Sequence, residues 1–181
     1  MMPRLAQGPV HNAAIEIGRG DGAIERTAQV MRELITAGSA HPLVRDHAER
    51  AVVGVRPGQR LEEIRRVRDY LAARVEYRRD PVSAEWIQTP WRILGQIDQG
   101  RRPQLDCDDL TVVSLAMLGA VGYDGIVKVV STRPDGAFNH VYGLVELDDD
   151  VVVPLDLTRA WAPRGAPWPD ETRSIELPVA A

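Results

Sequence analysis

Only one cysteine, Cys107, occurs in the 181 residues of this chain. No internal disulfide can form, and nothing ties the protein to an oxidising compartment. Lysine is equally scarce. Lys128 is the only one, and arginine carries the rest of the positive charge, which reads as a composition bias with no function attached. No apolar run comes near the ~20 residues that a membrane-spanning helix needs. Residues 1–20 lack a basic region followed by an apolar run, so no signal peptide is read there. A formal net charge of −4 gives no electrostatic case for nucleic acid as a partner. Phosphate-loop, dinucleotide-binding and serine-elbow patterns are missing too. These absences lead us to expect a chain without a membrane span or a cofactor. Its expected place is the cytoplasm, or a particle assembled there.

What is present divides into helices and then strands. Apolar residues fall at helical spacing over 24–37, where Ile24, Ala28, Met31, Leu34 and Ile35 share a face. Further helices are predicted over 42–53 and 61–74, and a short one from Pro90. The stretch 110–121 is apolar nearly all round, as a helix buried on most sides would be. After Gly122 the pattern becomes β-branched and alternating. Strands are predicted over 126–131, 138–147 and 151–157, joined by Pro134-Asp135-Gly136 and Asp148-Asp149-Asp150. This order predicts an α+β fold with helices packed on one side of an antiparallel sheet. Residues 1–22 read as a loose arm with a short strand near 14–17, 23–158 as a single domain, and 159–181 as a proline-rich tail.

Cys107 sits in Leu105-Asp106-Cys107-Asp108-Asp109, where a loop gives way to the apolar helix. Asp106 suits the N-cap. The helix dipole there favours a thiolate, whereas the three neighbouring aspartates oppose it. A histidine close to the sulfur would offset them. His140 lies on the second predicted strand and Asp156 on the third, within reach of each other as cross-strand neighbours. Thiol, imidazole and carboxylate in this order are the parts of a nucleophilic acyl-transfer site. The same aspartates offer oxygen ligands for a hard cation, but they lack the glycine spacing of a calcium loop and the Cys/His pairs of a zinc site. No metal is expected.

On these residues the chain resembles the transglutaminase-like superfamily of papain-type thiol enzymes. The resemblance runs from Val75-Glu76-Tyr77 to Asp156-Leu157-Thr158. It is carried by Asp106-Cys107-Asp108-Asp109, His140-Val141-Tyr142 and Leu155-Asp156-Leu157-Thr158. Glu85-Trp86-Ile87-Gln88-Thr89-Pro90 and the N-terminal helices are similar to the bacteriophage and prophage versions of that domain. The resemblance implies Cys107 as nucleophile, His140 as general acid/base and Asp156 as the carboxylate orienting it. It implies action on the amide bonds of a protein or peptide substrate. Gln88 becomes a candidate oxyanion donor beside the Cys107 N–H, and Trp86 and Trp91 candidate walls of a substrate groove. One departure is visible: relatives carry glycine before Asp-Cys, where Leu105 stands here. A second reading makes the chain a structural or adaptor protein of a phage head or tail, with little or no turnover. Its loose arm and its tail, with Trp161 and Trp168, would then dock on other phage structural proteins.

Overall fold

The structure is a computed structural model that describes residues 21–79, 87–148, 151–161 and 169–179. Helices form where the apolar spacing demands them. Helix α1 (Asp21–Ser39) buries Ala28, Met31 and Ile35. Helix α2 (Pro42–Val52) starts behind His41, whose Nδ1 accepts the Leu43 N–H at 3.2 Å, with proline in the first turn where no amide hydrogen is needed. Helix α3 (Arg60–Ala72) buries Ile64, Val67 and Leu71. Strand β1 (Glu76–Tyr77) follows, then helix α4 (Pro90–Asp98), then strand β2 (Gln104–Leu105), which pairs with β1 in parallel. The predicted short strand near 14–17 and the segment around Trp86 lie outside the described residues.

His47 of α2 is fully buried. Its ring lies 2.8 Å from the Tyr70 hydroxyl of α3 and 3.2 Å from the Asp98 carboxylate at the end of α4. Burial lowers its pKa, so at neutral pH this histidine is an uncharged link among three helices.

Helix α5 (Cys107–Ala120) is the centre of the molecule, and every residue from Asp109 to Leu118 is buried. Helices α1 to α4 pack around it on one side and the sheet covers the other. An apolar side chain at nearly every position is what such a helix requires. Val121 ends it, and Gly122 takes a φ of 90° that a residue with a Cβ adopts only under strain.

The main sheet contains β3 (Gly125–Ser131), β4 (His140–Asp148), β5 (Val151–Leu155) and β6 (Arg173–Pro178). Its order is β5-β4-β3-β6 and every pairing is antiparallel. Val127, Val129, Val141 and Val145 face the main core, whereas Val130, Tyr142 and Leu144 form a second cluster. On β4, Gly143 lets Leu115 of α5 come close: a Cβ there would lie 2.8 Å from a Leu115 methyl. The protein is therefore α+β, with helices packed on an antiparallel sheet. Among the described residues no helix is long and apolar enough to cross a membrane.

Two boundaries differ from the sequence reading. The third predicted strand ends at Leu155, because Asp156 turns its carboxylate onto Thr158 and starts a 3-10 turn over Leu157–Trp161. Part of the segment read as a tail is the sheet's fourth strand. Ile175 and Leu177 alternate with exposed Ser174 and Glu176, and β6 pairs with β3 from Ser131 to Ile126. Trp168 lies outside the described residues.

Candidate active site

The first turn of α5 is built by Asp106. One of its carboxylate oxygens accepts the N–H groups of both Asp108 and Asp109 at 3.1 Å, an N-cap that leaves Cys107 as the first helical residue. Val141 of β4 fastens this turn to the sheet. Its N–H lies against the Cys107 sulfur, and its carbonyl accepts from the Thr111 hydroxyl at 3.4 Å. The residue next to Val141 is His140, so the clamp brings sulfur and imidazole to the same end of the sheet. By strand alternation His140 falls with Tyr142, its ring 5.9 Å away, rather than on the face that packs on α5. The site therefore lies at the end of the sheet, just past the last residue of β5, and not beneath the helix.

His140 and Asp156 meet directly. Nε2 of the imidazole lies 2.8 Å from Oδ2 of the carboxylate. The other carboxylate oxygen accepts the Thr158 N–H at 3.0 Å and the Thr158 hydroxyl at 2.6 Å. Three donors thus fix the carboxylate, and the carboxylate fixes the ring. With Nε2 engaged, Nδ1 is the nitrogen left to exchange a proton with a thiol. The Asp156 side chain is 3% exposed and that of His140 18%. Solvent therefore reaches the imidazole and scarcely touches the group that orients it.

Cys107, His140 and Asp156 line one cleft of about 450 Å³, together with Tyr77, Arg79, Thr132, Arg133 and Arg159 among others. The half-buried thiol donates to an Asp108 carboxylate oxygen at 3.5 Å. Among the described residues no hydrogen bond joins the sulfur to the imidazole. Burial first, then the charges of Asp108 and Asp106, push the thiol well above its ordinary pKa, and the Val141 N–H only partly offsets them. Burial and the aspartates together favour the thiol over the thiolate at rest.

A pH dependence follows. Because the raised pKa favours the protonated form, alkylation of Cys107 by iodoacetamide should be slower at pH 7 than that of free cysteine. It should rise about tenfold per pH unit until the pH reaches the thiol pKa. Asp108→Asn removes a negative neighbour and leaves a neutral amide oxygen, a weaker acceptor, for the thiol hydrogen. It should lower the apparent pKa and speed labelling at pH 7, as measured by mass spectrometry of the single labelled peptide. An unchanged pH profile would show that Asp108 does not hold the thiol.

The other sequence-picked residues are elsewhere. Gln88 does not line the cleft; its N–H and its side-chain amide both donate to the buried Asp109, at 2.7 and 2.8 Å. It is a strut between the start of α4 and α5. Trp91 also lies away from the cleft, half-buried against the main core and stacked on His41 with ring centroids 5.1 Å apart. The groove role proposed for it does not hold, and Trp86 lies outside the described residues. Leu105 is fully buried in the main core and leaves the approach to the sulfur open. Sequence reasoning gave no site role to Tyr77, Arg79, Arg133 and Arg159, which come from separate loops and strand ends. Asp106, Asp108 and the sulfur have atoms within 4.8 Å of one another, but two of these three groups are committed to the helix cap and to the thiol hydrogen.

No family model matches the chain. No curated protein matches it. Among solved structures it is similar to the crystal structure of a "putative protease" from Parabacteroides distasonis, with a TM-score of 0.52 at 12% sequence identity. The similarity covers 72% of this chain and 26% of that protein, so the chain spans about a quarter of that protein's length. At this identity the likeness is one of fold.

Proposed function

We propose that this protein is a cysteine hydrolase or acyltransferase of the transglutaminase-like type, acting on amide bonds through Cys107, His140 and Asp156. The observation that supports the reading best is the His140–Asp156 pair at 2.8 Å in the cleft that also contains Cys107. An imidazole held in this way presents an unprotonated Nδ1 when it is neutral. It can then act as base toward a thiol that is protonated at rest.

The chemistry runs in two halves. His140 Nδ1 takes the thiol proton as the Cys107 sulfur attacks the substrate carbonyl and the S–C bond forms. Negative charge develops on the carbonyl oxygen. The Cys107 N–H, at the positive end of α5, is the natural donor to it, because the Asp106 side chain takes the next two amides and leaves this one. The imidazolium then gives its proton to the leaving amine, the C–N bond breaks and a thioester remains on Cys107. In the second half His140 takes a proton from water, or from a second amine, as it attacks the thioester. The C–S bond breaks and the proton returns to sulfur. Water gives hydrolysis and an amine gives transfer.

The test is acylation by p-nitrophenyl acetate. The native protein should release a burst of one equivalent of nitrophenolate and carry one acetyl group on the Cys107 peptide. Cys107→Ala should show neither. A burst that survives this substitution, or acetyl found only on other residues, would remove Cys107 as the nucleophile.

A further inference from the structure

We propose that the cleft selects an acyl donor carrying a free carboxylate, such as an acidic peptide, and that Arg79, Arg133 and Arg159 form the subsite for that carboxylate. This deepens the thiol-enzyme reading and rests on it. The three arginines come from three separate segments: the exit of β1, the connection between β3 and β4, and the 3-10 turn after β5. All three line the cleft that contains the sulfur and the imidazole. The chain as a whole carries a net charge of −4, so this gathering of cations runs against the overall balance.

The carboxylates near the sulfur already have donors of their own. Asp106 and Asp156 also line the cleft, but each is turned onto donors of its own: the amides of α5 for the first, His140 and Thr158 for the second. Asp108 sits on the thiol. Glu171, which interacts electrostatically with His140, is bound by Lys128 at 2.9 Å and by the Tyr142 hydroxyl at 2.6 Å. By contrast, Arg79 bonds to the Tyr77 phenol rather than to a carboxylate. Arg133 makes no ion pair among the described residues. Guanidinium groups are the side chains best shaped to hold a carboxylate by two parallel N–H bonds. A concave site with an excess of one sign of charge concentrates ligands of the other.

The negative groups nearest the sulfur and the positive groups on the rim make opposite demands, and reagent charge separates them. Cys107 is the only cysteine, so each thiol reagent reports on one position. The probes are three methanethiosulfonates, with sulfonatoethyl, trimethylammonioethyl and methyl groups. In each case the thiolate forms a mixed disulfide and methanesulfinate leaves. Dividing the two charged rates by the methyl rate cancels the thiolate fraction, and dividing again by the same ratio for free cysteine cancels intrinsic reactivity. The anionic reagent should then outpace the cationic one, on the order of tenfold at low salt. The advantage should shrink as salt rises, and it should invert in the Arg133→Glu, Arg159→Glu double variant. Equal normalised rates, or a preference for the cation in the native protein, would overturn the carboxylate subsite and leave the thiol chemistry standing. A sulfur inert to all three reagents in the folded protein would overturn both.

Discussion

Replacing His140 with alanine is expected to slow acylation of Cys107 by p-nitrophenyl acetate about 10²–10⁴-fold at pH 7, the usual worth of a positioned acid/base. The reason is the resting state of the sulfur. Burial and two aspartates keep it protonated, so without a base nearby the nucleophilic form is rare at neutral pH. A site with a preformed thiolate would lose much less, because its sulfur is already charged. The variant should regain part of its rate as the pH rises, since hydroxide can then remove the proton. A nitrophenolate leaving group needs no proton, so the ester reports only on His140 as base. An anilide substrate also needs its amine protonated and should suffer a larger loss. Asp156→Ala should fall between native and His140→Ala, because the imidazole stays but loses the 2.8 Å contact that fixes its ring. His140→Ala acylating as fast as the native chain, with an unchanged pH profile, would show that the shared cleft has no chemical meaning. Circular dichroism on the same samples separates this outcome from unfolding.

The sequence made the frame legible because the frame depends on local rules. Apolar residues every three or four positions marked α1 and α3, and a proline in the first turn marked α2. Asp106 ahead of an apolar run marked the start of α5, and turn residues separated β3, β4 and β5. What escaped it depends on distant partners. Strand β6 is short, carries charge on its outer face and pairs with β3 across more than forty intervening residues, so no hairpin signal announces it. Asp156 followed a run of alternating residues and looked like strand, but its carboxylate could accept the N–H of Thr158 two residues on, and that local bond ended the strand. Cys107, His140 and Asp156 were legible as residue types in order, and two of the three make a direct contact. The aim of a side chain was not legible. Gln88 and Trp91 offered suitable chemistry upstream of the cysteine, and both turned to other neighbours. The arginines at the cleft rim lay under the same bias that had made arginine uninformative along the whole chain.

Asp109 gave the sequence a signal that went unread: a carboxylate inside the most apolar helix of the chain, 3% exposed in the fold. A buried carboxylate is tolerated only with donors on its oxygens. Gln88 supplies both, through its backbone N–H at 2.7 Å and its side-chain amide at 2.8 Å, and its own carbonyl is steadied by Gln96 at 3.2 Å. The next residue, Thr89, is the N-cap of α4 but makes no side-chain cap bond. Asp109 therefore does from a distance what a capping side chain does locally, fixing the entry to α4 against the first turn of α5. Asp109→Ala removes two bonds to a charged group and leaves a Gln88 amide without its acceptor. The expected cost is about 3 kcal/mol of folding stability, read as a lower urea midpoint at an unchanged slope. Asp109→Asn should cost less, since its oxygen can still take the Gln88 N–H while its amide opposes another amide. Loss of Asp109 should also loosen the turn that carries Cys107. Iodoacetamide labelling of Asp109→Ala below its unfolding midpoint reads that loosening. A variant as stable as the native chain would mean that water replaces Gln88 without cost, and that the polar strut between the two helices is incidental to the fold.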